Sequence, residues 1–293
     1  MRDSAAAADH DDTLSVVIPY FQQPERVSEA VESVLRQTLL VDRVVVISDG
    51  DGTVPAARLR RLDPQRVVVH QLTENRGHLF AREVARRALT SRWVGFVDAD
   101  DLVEPRWAEA LTASAQQHDG VAFCANRHIY SFGRFSRTRR ISPVLTDRAA
   151  IDGPRPKHFA SHATVYRHDR ITAAGGFDPG FRVGFDTLFI NLIALTGPFG
   201  VVDEPLYIRR RKDLLVRRKS LTQHPTTGKG SPPRVEAVAR VDELYGRFAP
   251  LFRADPDLAL RALLAERDPG LETQVVEETD RLRAALRTAD ADG

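Results

Sequence analysis

Short runs of β-branched residues alternate with helical periodicity from Thr13 to about Asn126. Leu14–Ile18 has the composition of a strand and is stopped by Pro19. Pro24 then opens a helix, with Val27, Ala30, Val31, Val34 and Leu35 along one face. Val44–Ile47 is a second strand, ending in the turn Ser48-Asp49-Gly50-Asp51-Gly52, and Val67–Val69 a weaker third. A helix with Phe80, Val84 and Ala88 in register leads to the strand Trp93–Val97, which ends in Asp98-Ala99-Asp100-Asp101. Pro105 starts another helix, and Val121–Cys124 is a fifth strand. Strands that are apolar throughout and alternate with helices predict an α/β fold with a parallel sheet covered on both faces. Ligands of such sheets bind beyond the carboxyl ends of the strands, where the turns at Asp49 and Asp98–Asp101 lie.

Past Asn126 the pattern loosens. Arg127 to Lys157 reads as an arginine-rich hairpin or insertion, Phe185–Leu195 as a helix and Val201-Val202 as a strand. Residues 209–233 read as a mobile basic loop. Beyond it Val235, Val238, Val241, Leu244, Tyr245 and Phe248 form an amphipathic stripe, followed by helical stretches around 258–264 and 271–286. That stripe must be covered by the catalytic domain or by a second subunit. The expectation is a homodimer through these helices, or a lid on the acceptor side. The partition expected is a disordered tail over 1–12, a catalytic domain over 13–225 (nucleotide-binding half 13–106, acceptor half 107–225) and a helical region over 226–293.

Composition adds limits. With 293 residues, 42% hydrophobic and 28% charged, the chain can bury a large core. A net charge of +2 implies no polyanionic partner such as nucleic acid. The first residues lack the apolar region of a signal peptide, and no apolar run approaches the ~20 residues of a membrane helix, so a cytoplasmic protein without an integral membrane segment is expected. The single cysteine, Cys124, sits in an apolar run and reads as a buried structural thiol.

The strongest chemical signal is Asp98-Ala99-Asp100-Asp101 at a strand end. Carboxylates converging in one turn repel one another unless a cation joins them, and hard oxygen ligands suit Mn²⁺ or Mg²⁺ completed by water and substrate phosphates. The alternative is a helix N-terminus with acidic first-turn residues.

Read in order, LSVVIPYFQ, ESVLRQT (Glu32 to Thr38), VVISDGDGT, NRGHLFARE and GFVDADD resemble the nucleotide-binding half of family 2 glycosyltransferases. The resemblance continues more thinly through Gly175-Gly176-Phe177-Asp178, Gly184-Phe185-Asp186, Leu206-Tyr207 and Ser220-Leu221-Thr222. It implies a GT-A fold, a Rossmann-like and mostly parallel sheet flanked by helices with a small C-terminal helical extension. It also implies an inverting, metal-dependent transfer of sugar from a nucleotide-sugar, by preference a UDP-sugar, to a hydroxyl of a small-molecule, glycan or peptide acceptor. By the same resemblance Pro19 and Tyr20 line the nucleoside slot through backbone and ring contacts, and Asp49 accepts a hydrogen bond from uracil. Asp98, with Ala99, binds the ribose, Asp100 coordinates Mn²⁺ or Mg²⁺, Arg82 and Arg76 donate to phosphate, and Asp186 is the general base.

Three positions depart from the family pattern. Ser48 replaces the first acid of its turn, Glu83 replaces an Asn with the expected loss of an amide contact, and Phe185 replaces the first acid of a Glu-Asp pair. His158 and His162 are weaker candidates for the acceptor cleft, as are His224 for the metal and the arginine runs of the basic loop for the diphosphate. A sugar-1-phosphate nucleotidyltransferase would show a Gly-rich, basic start where this chain has Pro-Tyr-Phe-Gln-Gln. A non-catalytic nucleotide-sugar-binding module is the other alternative, disfavoured by the intact Asp98, Asp100 and Asp186.

Overall fold

Along the first two strands, successive residues enter different cores. In the computed structural model, Val16, Ile18, Val44 and Val46 belong to one buried cluster, and Val17, Val45 and Ile47 to the other. Because side chains alternate across a strand, a continuous apolar run serves a sheet with no solvated face. The structure describes residues 11–118, 120–124, 126–131, 134–140, 164–181, 185–210 and 232–291. For 11, 12, 126, 131, 140, 185–187, 191, 232–234 and 237 only the backbone is described.

The elements of the first half are β1 (Asp11–Tyr20), α1 (Val27–Leu35), β2 (Arg43–Ser48), α2 (Ala56–Arg60), β3 (Val67–Gln71), α3 (His78–Ala88), β4 (Ser91–Phe96), β5 (Leu102–Val103), α4 (Trp107–Gln117) and β6 (Val121–Cys124). There follow β7 (Asn126–Ser131), β8 (Arg134–Arg140), β9 (Thr164–Arg167), α5 (His168–Ala173), α6 (Phe185–Leu195), β10 (Gly200–Val202), β11 (Tyr207–Arg210), α7 (Pro232–Ala254), α8 (Pro256–Ala265) and α9 (Pro269–Ala291). The large sheet has the order β10-β6-β9-β4-β1-β2-β3 and is parallel except for β9, which runs antiparallel to both β4 and β6. A smaller sheet, β5-β11-β7-β8, stands beside it.

The mostly parallel sheet, the hairpin β7–β8 and the helix Phe185–Leu195 agree with the sequence expectations. Three features differ. β9 is a four-residue strand lost in the irregular stretch. β11 takes Arg209 and Arg210 out of the expected basic loop and pairs them in parallel with β7. β1 begins at Asp11, inside the expected tail.

Most of the stripe on the C-terminal helices is covered within the chain itself. Leu244, Phe248, Phe252, Leu263, Val275 and Leu282 share one core with Val17, Phe80 and Leu192. α7 packs on α6, and α9 on α3 and β3. At this seam His70 Nε2 lies 3.0 Å from Glu278 Oε2, and Thr73 Oγ1 donates to Glu278 Oε1 at 2.9 Å. Only the start of the stripe stays open, at Val235 (57% exposed) and Val238 (41%).

Candidate functional site

The carboxyl ends of β2, β1 and β4 lie side by side, which brings the two acidic turns to either side of β1. In the turn after β2, the backbone N–H of Asp49 donates to the Tyr20 carbonyl at 2.9 Å. The Asp49 carboxylate accepts from the Arg76 N–H (2.7 Å) and the Gly77 N–H (2.9 and 3.1 Å) at the amino end of α3. That satisfies helix donors that have no intrahelical partner. Gly50, at φ +68°, lies so close to the next loop that a Cβ would meet the Glu74 carbonyl carbon at 2.2 Å. Asp51 accepts from Ser48 Oγ (2.9 Å), Thr53 Oγ1 (2.6 Å) and the Gln22 N–H (2.6 Å). Burial alone would raise its pKa, but these hydrogen bonds win and hold it below the ordinary carboxylate value.

Two of the expected contact residues also have structural partners. Asp49 is 5% exposed, and its carboxylate ties the loop to the backbone amides before α3. The Tyr20 ring is 1% exposed within the core, and its hydroxyl pairs with Thr53 Oγ1 at 2.8 Å. Its ring is therefore part of the core, while the preceding Pro19 is partly exposed.

The turn after β4 is built differently. The Asp101 N–H donates to the Asp98 carbonyl at 3.0 Å, closing the turn and bringing three carboxylates together. Asp98 and Asp100 are partly exposed, Ala99 and Asp101 buried. The pKa of Asp101 is pushed well above the ordinary range, first by burial and then by the charges of Asp100 and Asp98. From the small sheet, the Arg210 N–H donates to Asp101 Oδ1 (2.9 Å) and Arg210 Nε to the Asp100 carbonyl (2.7 Å). The Asp98 N–H donates to the buried Tyr207 hydroxyl at 3.3 Å.

Arg82 is held inside the fold. It is 3% exposed, lies over the rings of Phe96 (5.4 Å) and Phe177 (6.0 Å), and donates from Nη2 to Asp98 Oδ1 at 3.2 Å. Buried there, it orients the first aspartate. Arg76 is partly exposed and pairs with Glu74 at 2.6 Å.

Glu83, the departure expected to lose a contact, is the residue sequence reasoning missed. It is fully buried and accepts the Phe177 N–H at 2.9 Å, so the amide contact is kept by a carboxylate. Arg86 Nε and Nη2 donate to it at 2.9 and 2.7 Å, and Arg87 Nε at 2.6 Å. Burial would raise its pKa, but Arg86, Arg267 and Arg87 bring it down to about 2. Arg267 also donates to the Gly175 carbonyl, and Arg87 and Arg267 both bind Glu272 of α9. Gly176, at φ +69°, leaves no room for a Cβ, which would sit 2.7 Å from Glu83 Oε2. Arg86 and Arg87, three and four residues after Glu83 on the same helix, were the available signal in the sequence. Cys124 is buried as expected and donates its S–H to the Glu204 carbonyl at 3.2 Å.

Asp186 is the second residue of α6, and its side chain lies outside the described residues. His158, His162, His224 and residues 211–231 of the basic loop also lie outside them. Among the described residues, no helix is long and apolar enough to cross a membrane.

Comparison with known proteins covers the stretch that holds both turns. Residues 15–178 match the family described as Glycosyl transferase family 2. EpsJ of Bacillus subtilis, an uncharacterized glycosyltransferase, is 28% identical over 233 residues, 72% of this chain and 63% of EpsJ, so the chain spans under two thirds of that relative. The succinoglycan biosynthesis protein ExoO of Rhizobium meliloti is 29% identical over 98% of this chain and 83% of its own. The crystal structure of S. aureus TarS 1-349 in complex with UDP-GlcNAc superposes with a TM-score of 0.59 at 19% identity, covering 95% of this chain and 87% of TarS 1-349, which shows a shared fold. With more than half its length matched to the family, the chain belongs to glycosyl transferase family 2 and has the GT-A fold.

Proposed function

We propose that the protein transfers a sugar from a UDP-sugar to a glycan hydroxyl with inversion, assisted by Mn²⁺ or Mg²⁺. The observation that carries this is the gathering of Asp98, Asp100 and Asp101 in one turn, where the charge of the buried Asp101 is opposed by burial and by its two acidic neighbours. A divalent ion fits that need, and carboxylate oxygen is the right donor chemistry for it. Among the described residues, no group of three or more His, Cys, Asp or Glu side chains could hold a metal by itself. The diphosphate and water would therefore complete the shell around Asp100, as is usual for Mg²⁺. When bound, the ion supplies Lewis-acid stabilisation of the departing diphosphate.

The chain's own residues do the rest. Asp98, held by Arg82, accepts from the ribose hydroxyls beside Ala99, and the β1 end at Pro19 with the Asp49-built loop forms the nucleoside wall. Arg76 donates to phosphate. UDP is favoured because S. aureus TarS 1-349 was crystallised with UDP-GlcNAc on the same fold. A glycan acceptor is favoured by relatives named for succinoglycan and amylovoran biosynthesis. Asp186, from the later half of the domain, takes the proton of the attacking hydroxyl, which approaches opposite the leaving diphosphate.

The test is a thermal-shift titration with UDP, GDP and TDP, each with and without Mn²⁺. UDP at about 100 times its dissociation constant should add roughly 2.7 kcal/mol, and much less without metal. Stabilisation by GDP or TDP but not UDP removes the base assignment, and stabilisation by no nucleotide removes the reading. Asp186→Asn should keep donor binding and lower turnover by roughly 10²–10⁴-fold. NMR of the product would show inversion, and a retained anomeric configuration removes Asp186 from this role.

A further inference from the structure

The small sheet carries an arginine face that none of these roles uses. In its register Tyr207 pairs with Arg127 and Arg127 with Arg139, while Arg209 pairs with Ile129 and Ile129 with Arg137. Residues paired directly across strands share a face. Four of the six positions in these two rows are therefore arginines. The ring contacts of His128 and Tyr130 with Phe135 independently place those aromatics on the other face. The arginine face looks towards the acidic turn, because Tyr207, in its first row, holds the Asp98 N–H.

Its charge is concentrated. Strand spacing of about 4.8 Å and a two-residue rise of about 6.7 Å confine the four Cα atoms to roughly 10 by 7 Å. Arg137, Arg139 and Arg209 are exposed and form no ion pair with another described residue. Arg127 is buried, and its pKa falls to about 10, first through burial and then through Arg209, with Arg139 adding to the fall and Asp101 opposing it. Planar guanidinium groups this close suit a bound oxyanion, which they grip in bidentate fashion.

We propose that this face binds an oxyanion, phosphate or carboxylate, carried by the acceptor. The assignment rests on the donor reading of the Asp98–Asp101 turn. β5 follows that turn directly, and the sheet order β5-β11-β7-β8 puts Arg137 and Arg139 three strands further out. At about 4.8 Å per strand, that is roughly 14 Å from the edge beside the turn, beyond a diphosphate held by Asp100.

Binding of inorganic phosphate and of glucuronate to the full chain tests it, at ionic strength balanced with sodium chloride. The proteins are the wild type, Arg137→Ala/Arg139→Ala and the remote control Arg58→Ala/Arg61→Ala. UDP affinity with Mn²⁺ is measured on all three. One or both anions should bind the wild type and the control alike and bind Arg137→Ala/Arg139→Ala about tenfold more weakly, with UDP affinity unchanged. Which anion binds identifies the source of the charge. No anion binding to wild type, equal binding to the double variant, or an equal loss in the control overturns the proposal. A parallel loss of UDP affinity also overturns it, by giving the patch to the donor diphosphate. If the wild type binds no UDP, the donor reading fails while the anion titration still reports on the patch.

Discussion

The turn after β2 and the turn after β4 flank the same strand, and they hold their carboxylates in opposite ways. Asp49 and Asp51 are surrounded by N–H and O–H donors, which make the charged form comfortable. Asp98, Asp100 and Asp101 share one turn, with Asp101 buried and its charge opposed by burial and by its two neighbours. Glu83, between them on α3, belongs to the first kind, compensated by guanidinium groups instead of amides. A satisfied carboxylate stabilises the fold, whereas a crowded one leaves a deficit that a cationic ligand can fill. Identical residue types thus divide into scaffold and site according to their donors.

Glu83→Gln should show the largest effect on stability. It leaves buried arginine charge without its partner and should cost about 3 kcal/mol in urea unfolding at neutral pH. The folded pKa of Glu83, about 2, lies below its ordinary 4.5. Its stabilisation is therefore present above pH 4.5 and is lost as the pH falls towards 2. The wild-type advantage over Glu83→Gln should shrink across that window, and a constant difference would contradict the assignment. Asp101 runs the other way, since its raised pKa makes its contribution to stability fade as the pH rises through the folded value.

Asp49→Ala comes next, with a loss of about 1.5–3 kcal/mol for charge-assisted bonds to the amino end of α3. Any effect on UDP affinity should follow the stability loss. A stable Asp49→Ala protein that cannot bind UDP would mark Asp49 as a base contact. Asp100→Asn should leave stability within about 0.5 kcal/mol of wild type while abolishing metal-dependent stabilisation by UDP. Destabilisation like that of Asp49→Ala would erase the distinction between the turns. Arg82→Lys should have the smallest effect on UDP binding, while losing ring contacts worth about 0.5–2 kcal/mol. It should weaken donor binding severalfold more than it lowers the melting temperature.

The repeated strands were legible because a buried parallel strand needs an unbroken apolar run, as in Val44–Ile47. The site's position was legible because Asp98-Ala99-Asp100-Asp101 ends such a run. β9 was not legible: four residues, Thr164–Arg167, have no periodicity of their own and are fixed by pairing with β4 and β6. The partners of Asp49 and Arg82 were not legible for a related reason. A motif names a side chain but not the donors around it, and Arg76, Gly77, Phe96 and Phe177 reach these residues only through the fold.

By itself the sequence determined the alternation of strands and helices, the family, and the place where carboxylates gather, because these follow from local pattern and order along the chain. Only the tertiary structure decided which carboxylates are satisfied, that Glu83 ties α3 to the Gly176 loop and α9, and that four arginines from three strands share one face. Those outcomes depend on contacts between residues far apart in the chain, where burial and neighbouring charge set the energy of each ionised group.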